Sequence, residues 1–210
     1  MYTPRANQET RLPVLHQLIR AEPLATLVTM TSKGLLASHI PLVLDAESAP
    51  LGVLRGHVSR ANPQWQNFDP SVEALAIFAG PHHYISASWY PSRLEDGEDV
   101  PTWNYVVVHA YGTIQIFEAE DWFMAHLDQL KNQSEASNPD PWKVSDAPAV
   151  YIRNMLRGIV GFELRISRLE GKWKASQNRD ERDRRGVVQG LEARNTPESL
   201  AMRDIVVERS

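Results

Sequence analysis

Cysteine is absent from the chain, which excludes disulfides, thiolate metal ligands and a cysteine nucleophile. Long apolar runs are absent too, and none approaches the roughly 20 residues that a membrane-spanning helix needs. The opening MYTPRANQETR lacks the charged-then-apolar layout of a secretory leader. These absences together lead us to expect a cytoplasmic protein with no membrane partner. Positive charge is not in excess, since the formal net charge is −4. Nucleic-acid binders draw much of their affinity from a basic face, so the balance argues against direct DNA binding. No P-loop, GxGxxG fingerprint, GxSxG elbow or HExxH helix occurs. The pair His82-His83 lacks the spaced partners of a zinc site, and no metal is expected.

What remains is an ordinary globular composition, 42% hydrophobic and 23% charged over 210 residues, with no internal repeat. Apolar spacing predicts a helix over 11–20, strands over 24–30, 35–44 and 51–58, and a short helix within 61–68. Further strands are predicted at 74–79, 84–88, 105–117 and 159–169, with a polar loop at 92–101. Helices are predicted at 118–130 and at 146–158, the latter capped by Asp146. Strands with appended helices, lacking regular β-α alternation, indicate a β-barrel or sandwich rather than a doubly wound parallel sheet. We expect a single barrel domain over 1–210 with a helical C-terminal segment from about 180.

Four stretches carry candidate chemistry. In LRGHVSRANPQW (54–65), Ser59, Arg60 and Asn62 follow a strand and precede a helix start. A phosphate asks for a cation, hydroxyl and amide donors at such a place, although a capping Asn beside a solvated Arg has the same spacing. In HHYISASWYP (82–91) and VPTWNYVVVHAYG (100–112), Trp89, Tyr90, Trp103 and Tyr105 alternate with Ser86, Ser88, Thr102 and Asn104. Flat rings beside small polar groups suit a planar heteroaromatic ligand, and equally a core. His109, inside a strand, reads as a packed residue. In LEGKWKASQNR (169–179), Lys172 and Lys174 straddle Trp173, and Ser176, Gln177 and Asn178 follow. That group could hold an anion, or form an exposed turn with Trp173 tucked beneath it. Beyond it, two helices about a turn near Asn195 mimic a helix-turn-helix, but seven arginines face seven acids from Arg179 onward. A salt-bridged surface pair is the better reading.

Taken together, GHVSRANPQW, GPHHYISASWYPS, VPTWNYVVVHAYG, SDAPAVYIRNMLRGIVGFE and RLEGKWKASQNR resemble the PaiB-type FMN-binding negative transcriptional regulators, from the opening MYTP to at least Gly190. The resemblance implies a split β-barrel related to pyridoxamine-phosphate oxidases, with FMN bound between the two subunits of a homodimer. By position, Ser59, Arg60 and Asn62 would then hold the FMN phosphate, with His57 on the strand leading into them. Ser86, Trp89, Tyr90, Thr102, Trp103 and Asn104 would line the flavin. Lys172, Ser176, Gln177 and Asn178 would close the pocket. The acidic run 95–99 departs from the more basic loop expected there. Two functions stay open: a flavin-binding regulator acting on gene expression directly or through a partner, and a flavin-dependent oxidoreductase on a small substrate. Haem in the same pocket ranks below FMN, because haem has no need of the Arg60–Asn62 cluster.

Overall fold

A computed structural model describes residues 1–97 and 99–209. Its elements run β1 (Gln8–Glu9), α1 (Leu12–Ala21), β2 (Leu24–Thr31), β3 (Gly34–Pro41), β4 (Val43–Asp45), β5 (Val53–Ser59) and α2 (Gln64–Asn67). They continue with β6 (Ala74–Ile85), α3 (Arg93–Asp96), β7 (Thr102–Phe117), α4 (Glu120–Ser134), α5 (Ala149–Leu156), β8 (Ile159–Lys174), α6 (Glu181–Arg194) and α7 (Pro197–Glu208). The strands join one antiparallel sheet in the order β3-β2-β6-β7-β8-β5-β4, with β1 paired to β8. The chain folds into two compact units, one from Met1–Val14, Ala79–Val108 and Glu170–Ser210, the other from Leu15–Phe78 and His109–Leu169.

The second of these units holds the strand ends that matter below. In β2, Ala25, Leu27 and Thr29 point inward on alternate positions, as a half-buried strand requires. A tight turn, with Gly34 at φ +106°, brings β3 back so that Leu27 pairs with Ser38 and Thr26 with His39. On the other side, β5 pairs with β8, setting His57 opposite Gly161 and Ser59 opposite Ile159. Gln64 of α2 is buried and donates to Leu27 O, Thr29 Oγ1 and Leu36 O at 3.2, 3.0 and 3.3 Å. That anchor fixes the 59–63 segment leading out of β5.

The first unit is organised around Ile85, Tyr90, Ala175, Val187, Leu191, Met202 and Val206. Asn195, left-handed at φ 49°, ends α6, and Thr196 and Ser199 cap α7 reciprocally. Gly186 and Gly190 give α6 a bare stripe, where an added Cβ would come within 2.0 and 2.2 Å of Trp89 atoms.

Several expectations are corrected. The strands predicted at 74–79 and 84–88 are one strand ending at Ile85, and 87–89 is a 3-10 turn in which Ser86 accepts from Ser88 N. The 35–44 strand breaks at Leu42, because Pro41 cannot donate to a ladder; Leu42 N instead donates to Pro23 O at 2.8 Å. Asp146 does not cap α5. It closes the preceding turn on Lys143 N at 2.8 Å, and α5 starts after Pro148. The final strand continues past Leu169 to Lys174.

Candidate functional site

A cleft of about 440 Å³ in the second unit gathers side chains from separate elements. Ser38 and His39 come from β3, His57 and Ser59 from β5, and Asn62 from the segment that Gln64 anchors. Asn62 Nδ2 donates to Ser38 Oγ at 3.1 Å, while its Oδ1 accepts from Gln64 N at 2.9 Å. His39 Nδ1 lies 3.0 Å from Thr26 Oγ1, which leaves Nε2 for the cleft. Ile40, Val58, Met155 and Ile159 supply apolar wall, and none of the lining residues is acidic. The arrangement can therefore take a ligand that combines an anionic, hydrogen-bonding end with apolar surface.

Arg60 stands beside this cleft but its guanidinium is engaged elsewhere. Its Nη1 pairs with Glu118 Oε1 at 2.6 Å, and Nε and Nη2 donate to Arg157 O and Ile159 O at 3.0 and 3.2 Å. Its own N–H donates to Gly158 O at 2.8 Å. Arg60 thus ties the exit of β5 to the α5–β8 connection.

The remaining sequence candidates lie in the first unit. Tyr90 is buried in its core with Arg179 over the ring at 4.2 Å. Trp89 fills the bare stripe of α6 and stacks with His83. Trp103 is half-exposed, flanked by His82 and Tyr84. Thr102 and the Trp103 carbonyl receive Lys174 Nζ, whose pKa is lowered by burial and then by neighbouring Lys172. Lys172 donates to Tyr2 O at 3.2 Å and sits over Tyr105. Buried Asn104 donates to Ser176 Oγ at 2.8 Å, and its Oδ1 has no partner among the described residues. Gln177 accepts from Ala175 N at 2.7 Å and donates to Ala6 O at 3.0 Å, so it holds the turn to the N-terminal segment. Asn178 is exposed. Of the acidic run, Glu98 and the side chains of Glu95 and Asp96 lie outside the described residues. Asp99 accepts from Ser92 Oγ at 2.7 Å, which is the main cause of its lowered pKa, and pairs with Arg179.

Sequence reasoning missed three residues near the cleft: Ser38, His39 and His126. The first two gave a signal only in their position just before Pro41 on a strand. His126 lies on the buried face of α4, 3.0 Å from His57, and burial followed by the His57 and Arg55 charges lowers its pKa to about 4.

Residues 1–168 match the family described as "Putative FMN-binding domain". The "Protease synthase and sporulation protein PAI 2" of Bacillus subtilis is 32% identical over 211 residues, covering 100% of this chain and 98% of that protein. An uncharacterized protein of Emericella nidulans is 36% identical over 244 residues, covering 100% and 97% respectively. Among solved structures, the FAD and haem binding protein from Mycobacterium smegmatis gives a TM-score of 0.57 at 17% identity, over 80% of this chain and 73% of that one. A flavocytochrome from Azotobacter vinelandii gives 0.57 at 11% identity, over 82% and 72%. At such identities the likeness is one of fold, and that fold is the split barrel. The chain belongs to the FMN-binding family, the one its sequence resembles, and FMN is the cofactor that the family description names.

Proposed function

We propose that this member of the FMN-binding family holds the phosphate end of FMN in the cleft formed by Ser38, His39, Ser59 and Asn62, and acts on gene expression through a partner. The observation that carries the reading is the donor set itself: hydroxyls, an amide and two imidazoles, with no carboxylate among the lining residues. Such a set suits a phosphate monoester, whose oxygens accept and cannot tolerate a facing acid. Bound FMN supplies redox chemistry of its own, and the chain's part is to grip and orient it. Ser59 and Asn62 offer donors from the exit of β5, and the apolar wall leaves room for less polar parts of the ligand.

The regulatory half of the reading is supported by the name of the Bacillus subtilis relative, which refers to protease synthesis and sporulation. Action through a partner is favoured by the C-terminal helices. Their apolar faces are buried in a core, Arg203 pairs with Asp204 and Glu192, and Arg209 pairs with Glu9. A pair committed in this way does not present a basic reading head. The same reading includes a homodimer, whose association would cover the edge strands β3 and β4, and a cytoplasmic location in keeping with a chain without cysteine. In the test, purified protein is titrated with FMN and with riboflavin by flavin fluorescence, with light scattering on the complex. At least a tenfold preference for FMN in a dimer is expected. Equal affinity for the two flavins would overturn the phosphate assignment, and a monomer that binds FMN tightly would overturn the dimer.

A further inference from the structure

Behind the cleft lies a column of rings that the binding reading does not use. Gly161 on β8 stands opposite His57 on β5. A Cβ at Gly161 would lie 2.2 Å from Trp122, so the missing side chain is what admits the indole. Trp122 donates its Nε1 to Glu163 Oε1 at 3.0 Å and stacks on His126 with centroids 5.1 Å apart at 23°. His126, 1% exposed, meets His57 edge-on at 74°, with His57 Nδ1 and His126 Nε2 3.0 Å apart. One nitrogen must donate to the other. Among the described residues, His126 Nδ1 is buried without a partner. Were it protonated, an N–H would be left unsatisfied in the interior, a condition rarer than an unsatisfied acceptor. The lone pair therefore belongs on Nδ1 and the proton on Nε2.

We infer that His126 is a positioning residue for His57: it donates Nε2–H to His57 Nδ1 and so fixes the tautomer in which His57 offers an Nε2–H to an acceptor in the cleft. The inference deepens the proposed phosphate site and rests on it only for the identity of that acceptor, a phosphate or carbonyl oxygen. His57 then contributes a neutral donor of fixed direction. The groups facing the pair agree with neutrality. Arg55, on β5, adds positive charge near His126 and is itself held by Glu163 and Asp45. Glu163 also accepts from Trp122, the ring stacked on His126. On the cleft side the titratable neighbour is His39 on β3. Burial lowers the pKa of both His57 and His126.

Long-range proton–nitrogen NMR of the ¹⁵N-labelled full chain at pH 7.5 reads the tautomers directly, without ligand. The expected spectrum has both His57 and His126 protonated at Nε2 and bare at Nδ1. His126→Gln, whose amide can still donate, should keep the His57 tautomer. His126→Phe should release it to a mixture and weaken FMN about fivefold. A His57 protonated at Nδ1 in the unaltered protein would overturn the inference, even if His126→Phe fails to fold. FMN titration of the same sample separates the two readings. Tight FMN binding with the wrong tautomer sinks only the role of His126, and the expected tautomer without FMN binding sinks only the phosphate site.

Discussion

The cleft of Ser38, His39, Ser59 and Asn62 and the turn from Lys172 to Asn178 have similar chemistry as strings of residues, and the turn is the more cationic of the two. In the folded chain they differ in what their donors touch. Lys172 and Lys174 donate to Tyr2 O, Thr102 and Trp103 O, and Gln177 bonds to three backbone positions. The lysine turn is thus a fastening within the first unit. In the cleft, Ser38 and Asn62 bond to each other, the His39 and His57 rings each have one nitrogen engaged, and a cavity lies in front of them. On the proposed reading the cleft takes the anion because its donors face open space, whereas those of the turn are taken up within the fold. Arg60 makes the same point beside the cleft: its guanidinium is met by Glu118 and two carbonyls.

The contrast can be broken from behind the cleft. Gly161→Val should push Trp122 off its seat, since even a Cβ lies 2.2 Å from the ring. Overpacking of this kind costs about 1–3 kcal/mol, read as a lower midpoint in urea, with FMN affinity falling alongside. Acid should act on the same column. The His57 and His126 pKa values are depressed by burial, so the unfolded chain takes up protons first as pH falls below the ordinary value of 6.5. Stability is intact above that pH and declines towards about 4, the value for His126, by about 1.4 kcal/mol per pH unit for that group. Denaturation midpoints across that window check it, and a His126→Gln variant should show a shallower slope.

Smaller effects sharpen the comparison from the other side. Gln177→Ala should cost about 1 kcal/mol of stability through the lost fastening, while leaving the ratio of FMN to riboflavin affinity unchanged. Arg60→Ala should change that ratio less than about threefold, because an exposed arginine already paired with a carboxylate has little left for a phosphate. A larger selective loss of FMN would show that Arg60 leaves Glu118 when the ligand arrives.

Fold and family were legible because strand alternation and long matched stretches are local properties of the chain. The place of each side chain was not, because it depends on residues far away in sequence. Spacing could not reveal that Glu118 meets Arg60, or that His126 on a helix meets His57 on a strand. The aromatic candidates separate for the same reason. Tyr90 and Trp89 pack around α6, whereas Trp103, one strand later, stays half-exposed. Ser38 and His39 escaped notice because nothing in the residues of the 35–44 strand sets them apart from its other positions. Only the register with β2 and the return of Asn62 turn them towards a shared cavity.

The central claim, that the Ser38–Asn62 cleft binds the FMN phosphate, is tested most directly by paired FMN and riboflavin titrations of Asn62→Asp. The substitution keeps an oxygen to accept from Gln64 N and replaces the amide donor with a carboxylate facing the cleft. A new charge about 4 Å from a phosphate at an effective dielectric near 20 costs up to about 4 kcal/mol per unit of phosphate charge. FMN should therefore weaken by about a hundredfold or more, and riboflavin by less than about threefold. Equal weakening of both flavins in a folded variant, or no weakening of FMN, would contradict the account.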